Sequence, residues 1–102
     1  MESTLKRTWA EVDLDALAHN YEVICRHVGE KTKLLGVIKA DAYGHGAVPV
    51  AKELEALGAS YLAVSNLDEC EEVRLGGVAL PVLMQGFTPA DQAERIQALD
   101  MT

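Results

Sequence analysis

The chain has 102 residues, enough for at most one compact domain, and its 49% hydrophobic and 25% charged content is that of an ordinary globular protein rather than a disordered or fibrous one. Sixteen acidic residues against nine basic ones leave a net charge of -7, the wrong sign for condensing on nucleic-acid phosphates or an anionic membrane surface. Cys25 and Cys70 form no CxxC pair, and the chain shows neither a signal-like apolar segment nor the ~20 apolar residues of a membrane span. This fits free thiols in a reducing cytoplasm.

In chain order, Thr8 to Leu14 alternates polar and apolar residues and reads as a short edge strand, with Trp9 packing it. Leu14, Leu17, Ala18, Tyr21, Ile24, Cys25 and Val28 then recur at helical spacing. Asp13 or Asp15 serves as N-cap and Gly29 as the stop. Leu34 to Ile38 is a continuous apolar run, as expected of a parallel strand covered on both faces. After a loop from Ala40 to Gly46, the stripe Ala47, Val50, Ala51, Leu54 and Leu57 predicts a helix closed by Gly58.

Tyr61 to Val64 reads as a second buried strand. A helix follows from about Leu67 to Leu75, stopped by Gly76 and Gly77, with Asp68 to Glu72 as a solvated acidic first turn that suits the helix dipole. Pro81 to Met84 supplies a third strand. Thr88 as N-cap and Pro89 at the first helical position open a last helix running to about Leu99.

The resulting βαβαβα order predicts an α/β fold with a parallel sheet. Three strands cannot close a barrel, an open three-stranded sheet leaves two edges bare, and a fourth strand is due at Asp100-Met101-Thr102. The expectation is the N-terminal part of a longer (β/α) barrel chain.

In such folds the chemistry sits at the C-terminal ends of the strands. That address here is Lys39-Ala40-Asp41-Ala42-Tyr43-Gly44-His45-Gly46. A lysine ending a buried apolar strand is poorly solvated, which disfavours its charged form and suits it to imine chemistry. On position alone, a lysine snorkelling past the strand end accounts for it equally well. Tyr43 adds a donor hydroxyl four residues on, and the glycines allow close backbone approach without making a dinucleotide loop. His45 has no partner at metal-ligand spacing and could orient its neighbours by hydrogen bonds. Cys25 and Cys70 sit where small packed hydrophobes belong.

The run Ile38 to Gly46 resembles the pyridoxal-phosphate attachment motif of the alanine racemase family, and Trp9 to Leu14 resembles that family's start. The similarity continues through Leu67-Asp68-Glu69 and the Pro81 strand to Gly86, covering about the first quarter to third of a family member. The resemblance implies a (β/α)8 TIM-type barrel that holds pyridoxal 5'-phosphate, of which residues 1–102 would be the N-terminal part. It also implies a C-terminal β domain beyond them and a homodimer with shared active sites.

The implied activity is interconversion of L- and D-alanine, supplying D-alanine for peptidoglycan in the cytoplasm. Lys39 would carry the cofactor as an internal aldimine and act as one of two bases. Tyr43 would hydrogen-bond the cofactor phosphate. Val37 and Gln85 are weaker candidates for the cofactor wall, and strand packing and a solvated strand end explain them more simply. The opposite-face base in the family is a tyrosine of the other subunit. Three alternatives stand beside it: a noncatalytic pyridoxal-phosphate-binding protein of the same barrel type, which the Tyr43-Gly44-His45-Gly46 continuation argues against; a racemase of other or broader specificity; and a 102-residue chain that is inactive on its own, folding-incompetent or self-associating, because two sheet edges are bare and the second base is missing.

Overall fold

The structure is a computed structural model that describes residues 8–102. Helix α1 (Leu14–Val28) begins where the sequence places it. The Asp13 carboxylate accepts from the Asp15 and Ala16 N–H groups at 2.9 and 3.1 Å, and Gly29, at φ 87°, donates its N–H to the Cys25 carbonyl. That same cap overturns the edge strand expected over Thr8 to Leu14. Residues 8–13 carry no secondary structure, because Asp13 already turns the chain into the helix and no strand runs beside them. Trp9 packs no strand either: it is 66% exposed, and its indole N–H donates to Glu11 at 3.1 Å.

Strands β1 (Leu35–Val37), β2 (Tyr61–Val64) and β3 (Val82–Met84) form a parallel sheet in the order β1-β2-β3. Between them lie the short α2 (Lys39–Tyr43), α3 (Ala47–Leu57) and α4 (Leu67–Leu75). The expected fourth strand starts in place. Met101 bridges Val82 in parallel, Thr102 N–H donates to the Val82 carbonyl at 2.8 Å, and Met84 N–H donates to the Thr102 carbonyl at 3.1 Å. Sequential parallel strands joined by helices are the arrangement of consecutive βα units in a (β/α) barrel.

One core lies between the sheet and the helices, built from Ile38, Val50, Ala51, Leu54, Leu62, Val64, Cys70, Val73 and Val82, with Leu17 and Tyr21 of α1 against it. Gly36, in register with Leu62, has no side chain because Leu54 occupies the space. A Cβ there would lie 2.5 Å from the Leu54 Cδ1.

The prediction of strands covered on both faces holds for β2, whose Leu62, Ala63 and Val64 are all buried, but not for β1. Leu35 and Val37 alternate away from the helices and remain 40% and 46% exposed. An outer strand has neighbours on one side only, and the helices cover only one face.

At the N-terminal end of the sheet, the Arg74 guanidinium donates to the carbonyls of Val78, Leu80, Leu99 and Asp100, at 3.0, 2.7, 2.9 and 3.3 Å. It ties the approach to β3 to the end of α5 (Ala93–Ala98). The opening of that last helix departs from expectation. Pro89 is extended (φ -62°, ψ 149°) ahead of a 3-10 turn at Ala90–Gln92, and α5 starts only at Ala93. Thr88 caps nothing, and its buried hydroxyl oxygen has no partner among the described residues.

Candidate active site

Lys39 lies two residues past the end of β1 and is half-buried; the intervening Ile38 anchors in the core and its N–H donates to the Ala63 carbonyl at 3.0 Å. The strand end is therefore a fixed platform. The loop expected over Ala40 to Gly46 instead contains α2, and its hand is the reverse of every other helix: Ala40, Asp41, Ala42 and Tyr43 have φ between 53° and 56°. Left-handed backbone costs L-residues roughly 1–2 kcal/mol each, so the turn persists only because its surroundings hold it. Gly44 and Gly46, at φ 91° and 93°, continue in the conformation glycine tolerates best.

Three side chains do the holding. Asp41 Oδ1 accepts the Ala47 N–H at 2.8 Å, capping α3 from six residues upstream where its own cap, Gly46, has no side chain to offer. His45 Nδ1 lies 2.9 Å from the Ala42 carbonyl oxygen, an acceptor only, so Nδ1 carries the proton and donates it. Glu69 spans the two strand ends. Its Oε2 accepts the Ala40 N–H at 2.9 Å, and its Oε1 accepts the Ser65 N–H and hydroxyl at 2.7 and 2.9 Å.

Glu69 corrects the reading of Asp68 to Glu72 as one solvated acidic turn. Asp68 and Glu71 do face solvent, pairing with Arg95 at 2.7 and 3.5 Å, but Glu69 is turned inward. The spacing that could have revealed it is Asn66-x-x-Glu69, a capping-box pattern, and Asn66 does accept the Glu69 N–H at 2.9 Å. Burial alone would push the Glu69 carboxyl up. The N–H groups of Ser65, Ala40 and Asn66 and the Ser65 hydroxyl outweigh it and hold the carboxyl below its ordinary 4.5.

A carboxyl whose folded value is depressed stabilises above its unfolded value and loses that contribution as pH falls through the folded one. The melting-temperature gap between the full-length protein and its Glu69→Gln variant is thus expected to be full at pH 7 and to close below about pH 4.5. A gap that persists into acid would contradict the assignment.

A second expectation concerns the strain. Ala40 is exposed, and its methyl group adds only the left-handed penalty. Ala40→Gly removes that penalty while adding unfolded-chain freedom, so a net gain of about 0.5–1 kcal/mol in urea denaturation is expected. A loss of stability would show that the backbone reading is wrong.

Tyr43 closes α2 with a 70% exposed phenol. With Gly44 and His45 it lines a shallow cleft of about 270 Å³ whose other wall is Ala10, Glu11 and Val12. Val37 lies on the open sheet face one residue before Ile38, and Gln85 sits at the exposed end of β3 with its N–H on the Val64 carbonyl at 2.8 Å. The strand ends therefore present an amine, a phenol and an open apolar sheet face. A larger cavity of about 700 Å³, lined by Tyr21, Cys25, Arg26, Lys33 and Ser60 among others, lies at the opposite, N-terminal ends of β1 and β2. Cys70 is fully buried. Burial pushes its thiol up, against the opposing pull of Arg74 and Arg95, as suits a packing residue.

Residues 12–102 match the family described as alanine racemase, N-terminal domain. Among curated relatives, alanine racemase 2 of Caldanaerobacter subterraneus subsp. tengcongensis is 45% identical over 102 residues, all of this chain and 26% of the relative. Alanine racemase of Syntrophobacter fumaroxidans is 46% identical over 94 residues, 91% of this chain and 25% of the relative. The chain thus spans about a quarter of the length of these relatives.

Among solved structures, alanine racemase of Clostridium difficile superposes with a TM-score of 0.91 at 44% identity, covering 97% of this chain and 26% of that one. The Bacillus anthracis alanine racemase with bound L-Ala-P gives 0.92 at 36% identity, covering 98% and 26%.

Proposed function

Because the chain belongs to the alanine racemase family, carrying the N-terminal part of its (β/α) barrel, we propose that residues 1–102 are the cofactor-anchoring part of a pyridoxal-phosphate-dependent alanine racemase that interconverts L- and D-alanine. The observation that carries this reading is a half-buried lysine at the C-terminal end of a barrel strand, followed at once by a strained, clamped turn that ends in an exposed tyrosine.

The residues fit pyridoxal phosphate by their chemistry. Lys39 supplies a primary amine that makes no ion pair among the described residues. Tyr43 supplies a phenolic donor for a phosphate oxygen, and the open face at Val37 is apolar enough to lie against a ring. When bound, the cofactor withdraws electrons from the carbon whose proton is to be moved.

The chain's own residues do the rest. Lys39 Nζ would hold the cofactor and, once the incoming alanine amine has displaced it, would be free to take a proton from, or return it to, the alanine Cα on one face. Tyr43 Oη holds the phosphate end, and the Asp41, His45 and Glu69 contacts keep the turn between them from relaxing. The opposite face needs a second base, which on this reading comes from a tyrosine of the partner subunit in a homodimer. D-alanine made this way would serve peptidoglycan synthesis in the cytoplasm. Among the described residues, no helix is long and apolar enough to cross a membrane.

The test is a racemisation assay of the full-length protein with each alanine enantiomer, followed by circular dichroism. Loss of optical activity from both enantiomers is expected. Cofactor binding without turnover of either would favour a carrier of pyridoxal phosphate over an enzyme.

A further inference from the structure

Outside Lys39 and Tyr43, the side chain whose contacts converge most closely on the site is Glu69. The N–H that its Oε2 accepts belongs to the peptide joining Lys39 to Ala40, so the bond fixes the plane by which Lys39 leaves the sheet. Its other oxygen is held by Ser65, the residue immediately after β2. A residue that merely completed the cap of α4 would need only its own neighbours. Glu69 reaches instead across 29 positions to a left-handed residue with no regular helical partner for that N–H.

We propose that Glu69 is a positioning residue for Lys39, its carboxylate tying the peptide after the lysine to the end of β2 so that the amine is presented to the cofactor in one orientation. This rests on the reading of Lys39 as the cofactor anchor. Removing the carboxylate leaves the Ala40 and Ser65 N–H groups without their acceptor, and hydrogen bonds to a charged group are the stronger kind. The left-handed turn then loses the contact that starts it, and Lys39 becomes free to swing with its peptide.

The test uses the full-length protein with Glu69→Gln, which keeps the size but puts an amide donor against N–H donors, and Glu69→Asp, which keeps the charge but is one methylene too short to span both strands. Two quantities are read. One is amide hydrogen exchange at Ala40 and at Leu62, the latter bonded within the sheet to the Pro81 carbonyl at 2.9 Å, in cofactor-free protein. The other is affinity for pyridoxal phosphate, titrated by the visible absorbance of the bound form.

Exchange at Ala40 is expected to quicken about tenfold in both variants while Leu62 is unchanged, and affinity to fall about tenfold. Equal quickening at both amides, or faster exchange at Ala40 with unaltered affinity, would overturn the positioning role. So would no change in either quantity. Should Glu69→Gln not fold, Glu69→Asp alone carries the comparison. A wild-type protein that binds no pyridoxal phosphate would instead sink the anchor assignment itself, which separates the two failures.

Discussion

Lys39→Ala in the full-length protein is expected to abolish racemisation, lowering kcat about a thousandfold or more. The size of the effect follows from two roles on one nitrogen. Nζ both anchors the cofactor and handles a proton, so its removal costs orientation as well as acid–base catalysis. Stability should be almost untouched, because the side chain is only half-buried and makes no ion pair among the described residues. Thermal unfolding should therefore separate loss of function from loss of fold. Lys39→Arg is expected to fail equally, since a guanidinium keeps its proton and is a poor nucleophile. A Lys39→Ala protein that racemises alanine within tenfold of the wild type would remove the lysine from the mechanism.

The second large effect is expected at a residue with no functional group. Gly86 follows the end of β3, and a Cβ there would stand 2.4 Å from the Ser65 backbone carbonyl oxygen and 3.5 Å from its carbon. The requirement is close approach, not a special backbone angle. A methyl group on Gly86 would push against main chain that cannot turn aside as a side chain could, and overpacking of this kind costs about 1–3 kcal/mol. Ser65 is also the β2 end of the Glu69 clamp, so the displacement would pass to Ala40 and the turn after Lys39. Gly86→Ala is thus expected to lower urea stability by that amount and to weaken pyridoxal phosphate binding together with it. A change below about 0.5 kcal/mol would mean that β2 and β3 separate more easily here than their packing implies.

What was legible in the sequence was whatever depends on periodicity and punctuation. The stripe from Leu14 to Val28 with Asp13 and Gly29 at its ends, the α3 stripe closed by Gly58, and the apolar runs at Tyr61 and Pro81 all fold locally as their patterns require. The strand due at Asp100-Met101-Thr102 was legible from the βα rhythm and begins beside β3.

Contacts between segments distant in the chain were not legible. Nothing in Asp68-Glu69-Cys70-Glu71-Glu72 says which carboxylate turns inward until β1 and β2 are side by side. Nor does composition reveal that Ala40 to Tyr43 runs left-handed, since alanine favours the opposite hand and the turn is held by contacts beyond it, Glu69 on the Ala40 N–H and the Asp41 carboxylate on the Ala47 N–H, and by the glycines that follow. The alternation at Trp9 misled because a strand needs a neighbour as well as a pattern, and Thr88-Pro89 misled because Pro89 took an extended conformation ahead of the helix rather than its first position.

Of the candidate residues, Lys39 and Tyr43 were visible because they lie on one short loop. Of their support, His45 was already legible as a residue that orients its neighbours by hydrogen bonds, whereas the contacts of Asp41, Glu69 and Ser65 became visible only in three dimensions.

The claim that everything else rests on is that Lys39 is the residue to which the cofactor attaches. Incubation of the full-length protein with pyridoxal phosphate, reduction with borohydride and peptide mapping reads this directly. A single pyridoxyl adduct is expected on the peptide containing Ile38-Lys39-Ala40, absent from the Lys39→Ala protein; adduct spread over surface lysines such as Lys31, Lys33 and Lys52, or found only at another site, would contradict attachment at Lys39.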